Sequence, residues 1–404
     1  MSLEQLPVEL IAGICGFLPE QDFLAFRETS LQLELASRDV FVKRHVEHLT
    51  APVENLQRLY SVSESERLRH KVRALHLVTA SVRDSEPLPA GRMQTTLTEA
   101  VSRFPNLSSV GLQPRRSSVR SFRGGLDAAY VLCALIAPFA SRPSRLQQLT
   151  TCAGLYHAGV SESLEVEMLD PGQLSTALSD LQSLHVCSGH SAIWRDNSRE
   201  PHDMFEKLVV AAAPSVKSLS FDMSMEFDAI QAALAFDRMI ARAQFRNLAE
   251  LHMASIRVSD ASLRKLLEGL KETLRSLSLF YVQMQKTRSA IESCVRWRRF
   301  FEFLKDNFKL TSAAFSCLGH AGIYWMLVDP SKGQNTAEVD AKGNTHISWK
   351  EDEGVCYEDW IGQVRFQVNP GDAYSTTMSG FHRFGSDVDL DGWLLRCGLG
   401  PQAS

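Results

Sequence analysis

The sequence predicts an α/β fold: a short all-helical segment at the N-terminus, then strand–helix units wound as an irregular solenoid. Three observations predict it. Residues 6–48 carry large apolar residues at helical spacing in very short stretches. From Val72 onward an apolar-x-x-apolar-x-apolar pattern recurs, with amphipathic helical patterns between its copies. After Val328 Gly, Asp and Asn become frequent and helical periodicity fades. The predicted segments are 1–50, 51–328 and 329–404.

In the first segment Pro7 is read at the first helical position, where its missing N–H costs nothing. Glu9 then suits the helix dipole. Leu10, Ile11, Ile14, Phe17 and Leu18 follow as one apolar stripe, and Pro19 ends it. Asp22 is read as the cap of a second helix carrying Phe23, Leu24 and Phe26, which Thr29 and Ser30 break. Leu31, Leu33, Leu35 and Ala36 lead to Val40, Phe41 and Val42. A segment near 45 residues buries too little of its own surface to stand comfortably alone. Either the rest of the chain covers it, or another protein lays helices against it.

The order L-P-x-E-L-I-x-x-I-x-x-F-L, then D-F-L-x-F-R-x-T-S, resembles an F-box. F-boxes dock substrate receptors onto the Skp-family adaptor of cullin–RING ubiquitin ligases. The resemblance implies that Leu6, Pro7, Glu9, Leu10, Ile11, Ile14, Phe17, Leu18, Asp22, Phe23, Leu24 and Arg27 bind that adaptor; Thr29, Ser30 and Leu33 complete the match. It departs at Leu31 and Gln32, where F-boxes usually carry a basic residue. The helical pattern over residues 53–70 and the strand pattern Val72 to Leu77 resemble the linker that follows the F-box in fungal F-box proteins.

The recurring pattern appears at Val72/Leu75/Leu77, Leu107/Val110/Leu112, Leu181/Leu184/Val186, Val216/Leu219/Phe221, Leu248/Leu251/Met253 and Leu274/Leu277/Leu279, with a partial copy at Leu146/Leu149. Consecutive copies start 26 to 39 residues apart. Helical patterns lie between them at Leu97–Phe104, Ala128–Phe139, Met204–Ala213, Phe227–Ala243 and Ser262–Leu274, the last capped by Ser259 or Asp260. This suits a leucine-rich-repeat-like solenoid, in which each unit buries itself only against its neighbours. The spacing is longer than in regular repeats and the Asn or Cys position is missing. A compact doubly wound sheet is the alternative. A further helix is predicted over Ser289–Asn307 and a strand over Leu310–Cys317. In 329–404, strand-like alternation at Ile347/Trp349 and Val364/Phe366/Val368 and three tryptophans argue for an acidic, partly ordered segment that caps the solenoid.

A net charge of −4 with 22% charged residues points neither to nucleic acid nor to a membrane surface. The opening MSLEQLPVE has no basic region of a signal peptide, and no apolar run approaches a bilayer span. Eight scattered cysteines without a C-x-x-C pair read as reduced thiols, so cytoplasm or nucleus is expected. No phosphate loop, dinucleotide fingerprint, nucleophile elbow or H-E-x-x-H occurs. His45 and His48, and the set Cys187, His190 and His202, lack zinc spacing. Asp387-x-Asp389-x-Asp391-Gly392 opens like a calcium loop, but Gly398 stands where the bidentate acid belongs. Arg115, Arg116, Arg120 and Arg123 in a loop are candidate substrate-binding residues, since Arg forks grip acidic or phosphorylated segments; a solvated loop is the plainer reading. Arg296, Arg298 and Arg299 around Trp297 are weighed the same way. The expected function is a non-catalytic substrate receptor, without metal or cofactor, that joins an unknown protein target to a cullin–RING ligase. The alternatives are a repeat scaffold with no ligase role, and an enzyme whose site shows no local motif.

Overall fold

The computed structural model describes residues 3–52, 56–79, 90–114, 128–142, 145–151, 169–188, 201–223, 229–284, 290–316, 318–320, 323–328, 338–339, 345–350 and 365–368. The protein is mixed α/β with parallel sheet, and its chain divides into two compact units, Met1–Leu181 and Gln182–Ser404.

The first unit opens with a 3-10 turn (Leu3–Gln5) and four helices: α1 (Val8–Phe17), α2 (Glu20–Glu28), α3 (Leu31–Ala36) and α4 (Arg38–His45). Then follow β1 (His48–Pro52), α5 (Gln57–Glu64), α6 (Glu66–Arg69), β2 (Ala74–Thr79), α7 (Ala90–Ser102), β3 (Ser109–Pro114), α8 (Ala128–Ile136), β4 (Gln148–Thr151) and α9 (Pro171–Ala177). The four strands pair in parallel and in chain order. Register aligns Leu49, Leu75, Val110 and Leu149 in one row, all buried. Leu59 and Val62 of α5, Leu97, Ala100 and Val101 of α7, and the wholly buried run Val131 to Ile136 of α8 complete this core. Parallel strands linked by helices bury one face of each strand in this way.

The second unit holds β5 (Ser183–Ser188), α10 (Pro201–Ala212), β6 (Ser218–Met223), α11 (Ala229–Arg242), β7 (Glu250–Ala254), β8 (Arg257–Val258), α12 (Asp260–Glu268), β9 (Ser276–Phe280), β10 (Gln283–Met284), α13 (Ala290–Asn307) and β11 (Ser312–Ser316). The remaining strands are β12 (Leu318–His320), β13 (Ile323–Val328), β14 (Glu338–Val339), β15 (Thr345–Lys350) and β16 (Arg365–Val368). Strands β5, β6, β7, β9 and β11 pair in parallel, and β15 closes on β11 antiparallel. Their rows Leu184/Leu219/Leu251/Leu277/Ala313 and Val186/Phe221/Met253/Leu279/Phe315 are buried. Ser259 caps α12, its hydroxyl accepting from the Ser262 amide at 3.0 Å. That helix ends at Glu268, six residues before the predicted Leu274.

One hydrogen-bond device recurs. The carbonyl just before a strand accepts two consecutive N–H groups from the start of the next: Glu47 from Arg73 and Ala74, Arg73 from Ser108 and Ser109, Lys217 from Ala249 and Glu250, Ala249 from Arg275 and Ser276. Two asparagines repeat a second device. The Asn106 amide donates to the His70 carbonyl at 2.6 Å and the Asn247 amide to the Pro214 carbonyl at 2.9 Å, each just ahead of a repeat's first leucine.

A second parallel set, β8, β10 and β12, was not foreseen. The chain reaches it through Ser255 (φ 54°) and Tyr281 (φ 53°), each directly after a main strand. The left-handed region costs an L-residue roughly 1–2 kcal/mol. Glycine relieves that cost but loses more chain entropy on folding. Ser255→Gly should therefore raise stability by up to about 1 kcal/mol, and Ser255→Val should lower it; thermal melting checks both.

On the face opposite the core, His76 of β2 lies over Gly111 of β3: a Cβ at Gly111 would stand 2.5 Å from His76 Nδ1. Burial lowers the pKa of His76, and lowers that of His252 on β7 despite Asp222. The unfolded chain then takes up protons that these folded imidazoles refuse. Stability should fall as pH drops below the ordinary histidine value near 6.5. His76→Gln with His252→Gln should flatten that fall in urea midpoints measured from pH 7 to pH 5.

Candidate functional site

The N-terminal helices are assembled on a small core of Ile11, Cys15, Phe23, Leu33 and Ala36, with Leu6, Leu18, Phe26, Val40 and Phe41 packed around it. Local chemistry explains each helix end. Pro7 precedes α1 instead of occupying its first position, and its carbonyl accepts from the Leu10 and Ile11 amides. Pro19, not Asp22, stands at the start of α2, its carbonyl accepting from Phe23 N–H at 2.9 Å; Asp22 is exposed within the first turn. The Ser30 hydroxyl caps α3 by accepting from Leu33 N–H. Buried Ser37 donates to the Leu33 carbonyl at 2.7 Å and separates α3 from α4.

Two arginines lock the four helices together. Arg44 of α4 donates to the Gly16 and Leu18 carbonyls at 2.6 and 2.9 Å, capping the C-terminus of α1, while its guanidinium lies 4.9 Å from the centre of the Phe23 ring. Arg27 of α2 lies 3.8 Å over Phe41 and 3.6 Å from Glu34. Burial lowers the Arg27 pKa and Glu34 opposes that. Burial likewise raises the pKa of the Cys15 thiol. His45 stacks on Phe23 and tilts against Phe41, a packing role.

The outer surface is of another kind. Every large apolar residue that is exposed among the described residues lies between Leu3 and Leu35: Leu3, Val8, Leu10, Ile14, Phe17, Leu24, Leu31 and Leu35. Phe17 is 92% exposed and Leu31 71%. Leu10, Ile14 and Phe17 recur at i, i+4 and i+7, a second stripe on α1 beside the one that holds Ile11 and Cys15. Leu31 and Leu35 form the corresponding pair on α3, which packs against α1. At roughly 200 Å² per fully exposed residue, these fractions leave on the order of 900 Å² uncovered. A standard interface buries about 800 Å² per partner. Eight large apolar residues exposed within one short segment exceed the singly scattered leucines of an ordinary surface.

The residues expected to meet an adaptor thus part into two groups. Pro7, Glu9, Leu10, Ile14, Phe17, Asp22 and Leu24 are exposed, and Leu6, Leu18 and Arg27 are half-buried. Ile11 and Phe23 are sealed in the segment's own core, at 1% and 0% exposure, and offer a partner nothing; their work is to hold the helices together. Val8, Leu31 and Leu35 join the exposed surface, although the motif did not name them as adaptor contacts. Arg115, Arg116, Arg120 and Arg123, with the Asp387 to Asp391 run, lie outside the described residues. Of the second arginine cluster, Arg298 pairs with Glu302 along its own helix, and buried Trp297 donates to the Gly319 carbonyl. Among the described residues no group of three His, Cys, Asp or Glu is placed to hold a metal ion, and no helix is long and apolar enough to cross a membrane.

No family model matches the chain, and no curated protein matches it.

The core and the outer face should separate on mutation. Arg44→Ala removes two charge-assisted bonds and should cost about 2 kcal/mol. Phe17→Ala should change stability by no more than about 0.5 kcal/mol. A Cβ at Gly13 of α1 meets no atom within 4 Å, so Gly13→Ala should stabilise the protein by up to about 1 kcal/mol. Urea unfolding of the three variants measures all of these.

Proposed function

We propose that the chain is the substrate-recognition subunit of an SCF-type cullin–RING ubiquitin ligase. Its N-terminal helices form an F-box that binds a Skp-family adaptor, and the α/β region behind them, an irregular leucine-rich-repeat-like solenoid, holds a protein target. The chain catalyses nothing on this reading. It raises the target's effective concentration beside the ubiquitin-charged enzyme.

The observation that carries the proposal is the exposed stripe Leu10, Ile14 and Phe17, continued on α3 by Leu31 and Leu35. These side chains stand in a motif that resembles an F-box, and this chain's own fold leaves each of them exposed, Phe17 most of all. Burying each against a partner is worth roughly 1.5–3 kcal/mol. In support of the solenoid, β1 to β4 in the first unit and β5, β6, β7, β9 and β11 in the second pair in parallel and in chain order, and the same carbonyl device recurs at their starts. In place of the basic residue usual in the family, Leu31 is exposed here, so the adaptor must meet α3 with apolar surface.

Leu10→Glu combined with Phe17→Glu should reduce capture of a purified Skp-family adaptor at least a hundredfold while the melting temperature stays near that of the unaltered protein. Undiminished capture by that variant overturns the reading.

A further inference from the structure

We propose that the first unit is spared as a ubiquitin acceptor. Arginine stands there at exposed positions where lysine would serve the fold equally well, and ubiquitin that the ligase attaches to this chain itself goes to lysines of the second unit. The inference rests on the receptor reading above and extends it to the receptor's own fate.

The two units differ in their cations. Residues 1–181 hold two lysines, Lys43 and Lys71, against 16 arginines; residues 182–404 hold 10 lysines against 15 arginines. At the second unit's proportion the first would hold about seven lysines. After Lys71 the next lysine is Lys207, and 12 arginines stand between them. A general preference for arginine would fall on both units alike, so it does not account for the contrast.

Structural need accounts for part of it. Arg44 donates to two carbonyls, Arg103 lies over the Tyr60 ring and 3.5 Å from Glu64, and Arg142 lies over Phe139 and donates to the Val101 carbonyl. These contacts use the planar fork, which lysine lacks. Arg38 of α4, Arg58 of α5 and Arg67 of α6 have no such duty. They are exposed, and among the described residues they hold no carboxylate or carbonyl. Lysine and arginine have nearly the same helix propensity and carry the same charge. Comparable exposed positions of the second unit carry Lys217, Lys265, Lys305 and Lys309.

What separates the two side chains at such positions is reactivity. A deprotonated lysine amine attacks the thioester carbonyl that joins ubiquitin's C-terminus to a cysteine of the conjugating enzyme. The C–N bond forms, the C–S bond breaks, and the amine's spare proton passes to the departing thiolate. A guanidinium, delocalised and with a pKa of about 12 or above, presents no such amine. A tether that raises the target's concentration beside the charged enzyme raises that of the receptor's own lysines as well. Ubiquitin attached to the first unit would place a folded protein on the unit that carries Leu10, Ile14 and Phe17, the residues that bind the adaptor.

The test assembles the full chain with purified Skp-family adaptor, a cullin–RING core, activating and conjugating enzymes and ubiquitin. Size-exclusion chromatography reports assembly, and mass spectrometry of tryptic diglycine remnants locates the modified lysines. In the unaltered chain the remnants should fall on second-unit lysines such as Lys217, Lys265, Lys305 and Lys309. Arg38→Lys, Arg58→Lys and Arg67→Lys combined keep the charge; they should raise ubiquitin on residues 1–181 at least threefold, with remnants at the new lysines, and leave the melting temperature unchanged. A chain that fails to assemble with the adaptor overturns the receptor reading and this inference with it. An assembled chain in which Lys43 or Lys71 is the main acceptor, or in which the three new lysines stay unmodified, overturns this inference alone.

Discussion

Helix α1 has ten residues and more apolar circumference than its neighbours can cover, and the rest of the N-terminal structure follows from that. Ile11 and Cys15 occupy the side that packs on Phe23 and Leu33. Leu10, Ile14 and Phe17 occupy the adjoining side, where the described residues leave them exposed. A four-helix segment of this size has no second layer to supply. Its own stability is therefore concentrated in a few strong local devices, chiefly the Arg44 cap on α1 and the Arg27 stack on Phe41. Because the outer stripe contributes little to that stability, its composition is open to be set by a partner.

The parallel sheets distribute their work in the opposite manner. Each strand of the second unit offers two or three alternating apolar residues to one side, and register stacks these into buried rows. The carbonyl shared by two N–H groups at successive strand starts pins that register from one repeat to the next. A slip of one residue would turn every leucine of a strand outward. The opposite face of these strands is half-buried. It carries serine where a strand needing its own packing would carry valine or isoleucine.

The strand positions were legible because a period-two pattern with leucine at fixed offsets survives any change in loop length. Val72/Leu75/Leu77 and Leu248/Leu251/Met253 lead into or lie within β2 and β7. The helices between them were legible in place but not in extent: α7 begins at Ala90, well before the apolar run at Leu97 that marked it. The fourth N-terminal helix was missed because Arg38 to His45 has apolar residues bunched at Val40, Phe41 and Val42 instead of spaced around one face. The Arg44 cap had no local signal at all, since its acceptors lie 26 and 28 residues earlier. Ile11 and Phe23 were misjudged for a related reason. A stripe shows which residues want burial but not whether this chain or another supplies it, and only the packed core divides Ile11 from Ile14.

The second parallel set was hidden by an absence. Ile256, Val282 and Leu318, which lead into it or begin it, read as ordinary apolar residues and are buried. Each is reached just after a main strand ends. At Ser255 and Tyr281 the backbone adopts positive φ; the Ser255 amide donates to the Phe280 carbonyl and the Tyr281 amide to the Ser316 carbonyl. Beyond the turns, the Gln283 amide donates to Ile256 and the Gly319 amide to Val282. Hydrogen bonds on both sides of the turn over-determine it, so the strain persists. The turn also has a consequence for the outer face. By sending the chain inward immediately after Ala254 and after Phe280, it ends the first sheet at that row, leaving the short Ala254 side chain and the taller Phe280 ring at the rim instead of mid-sheet.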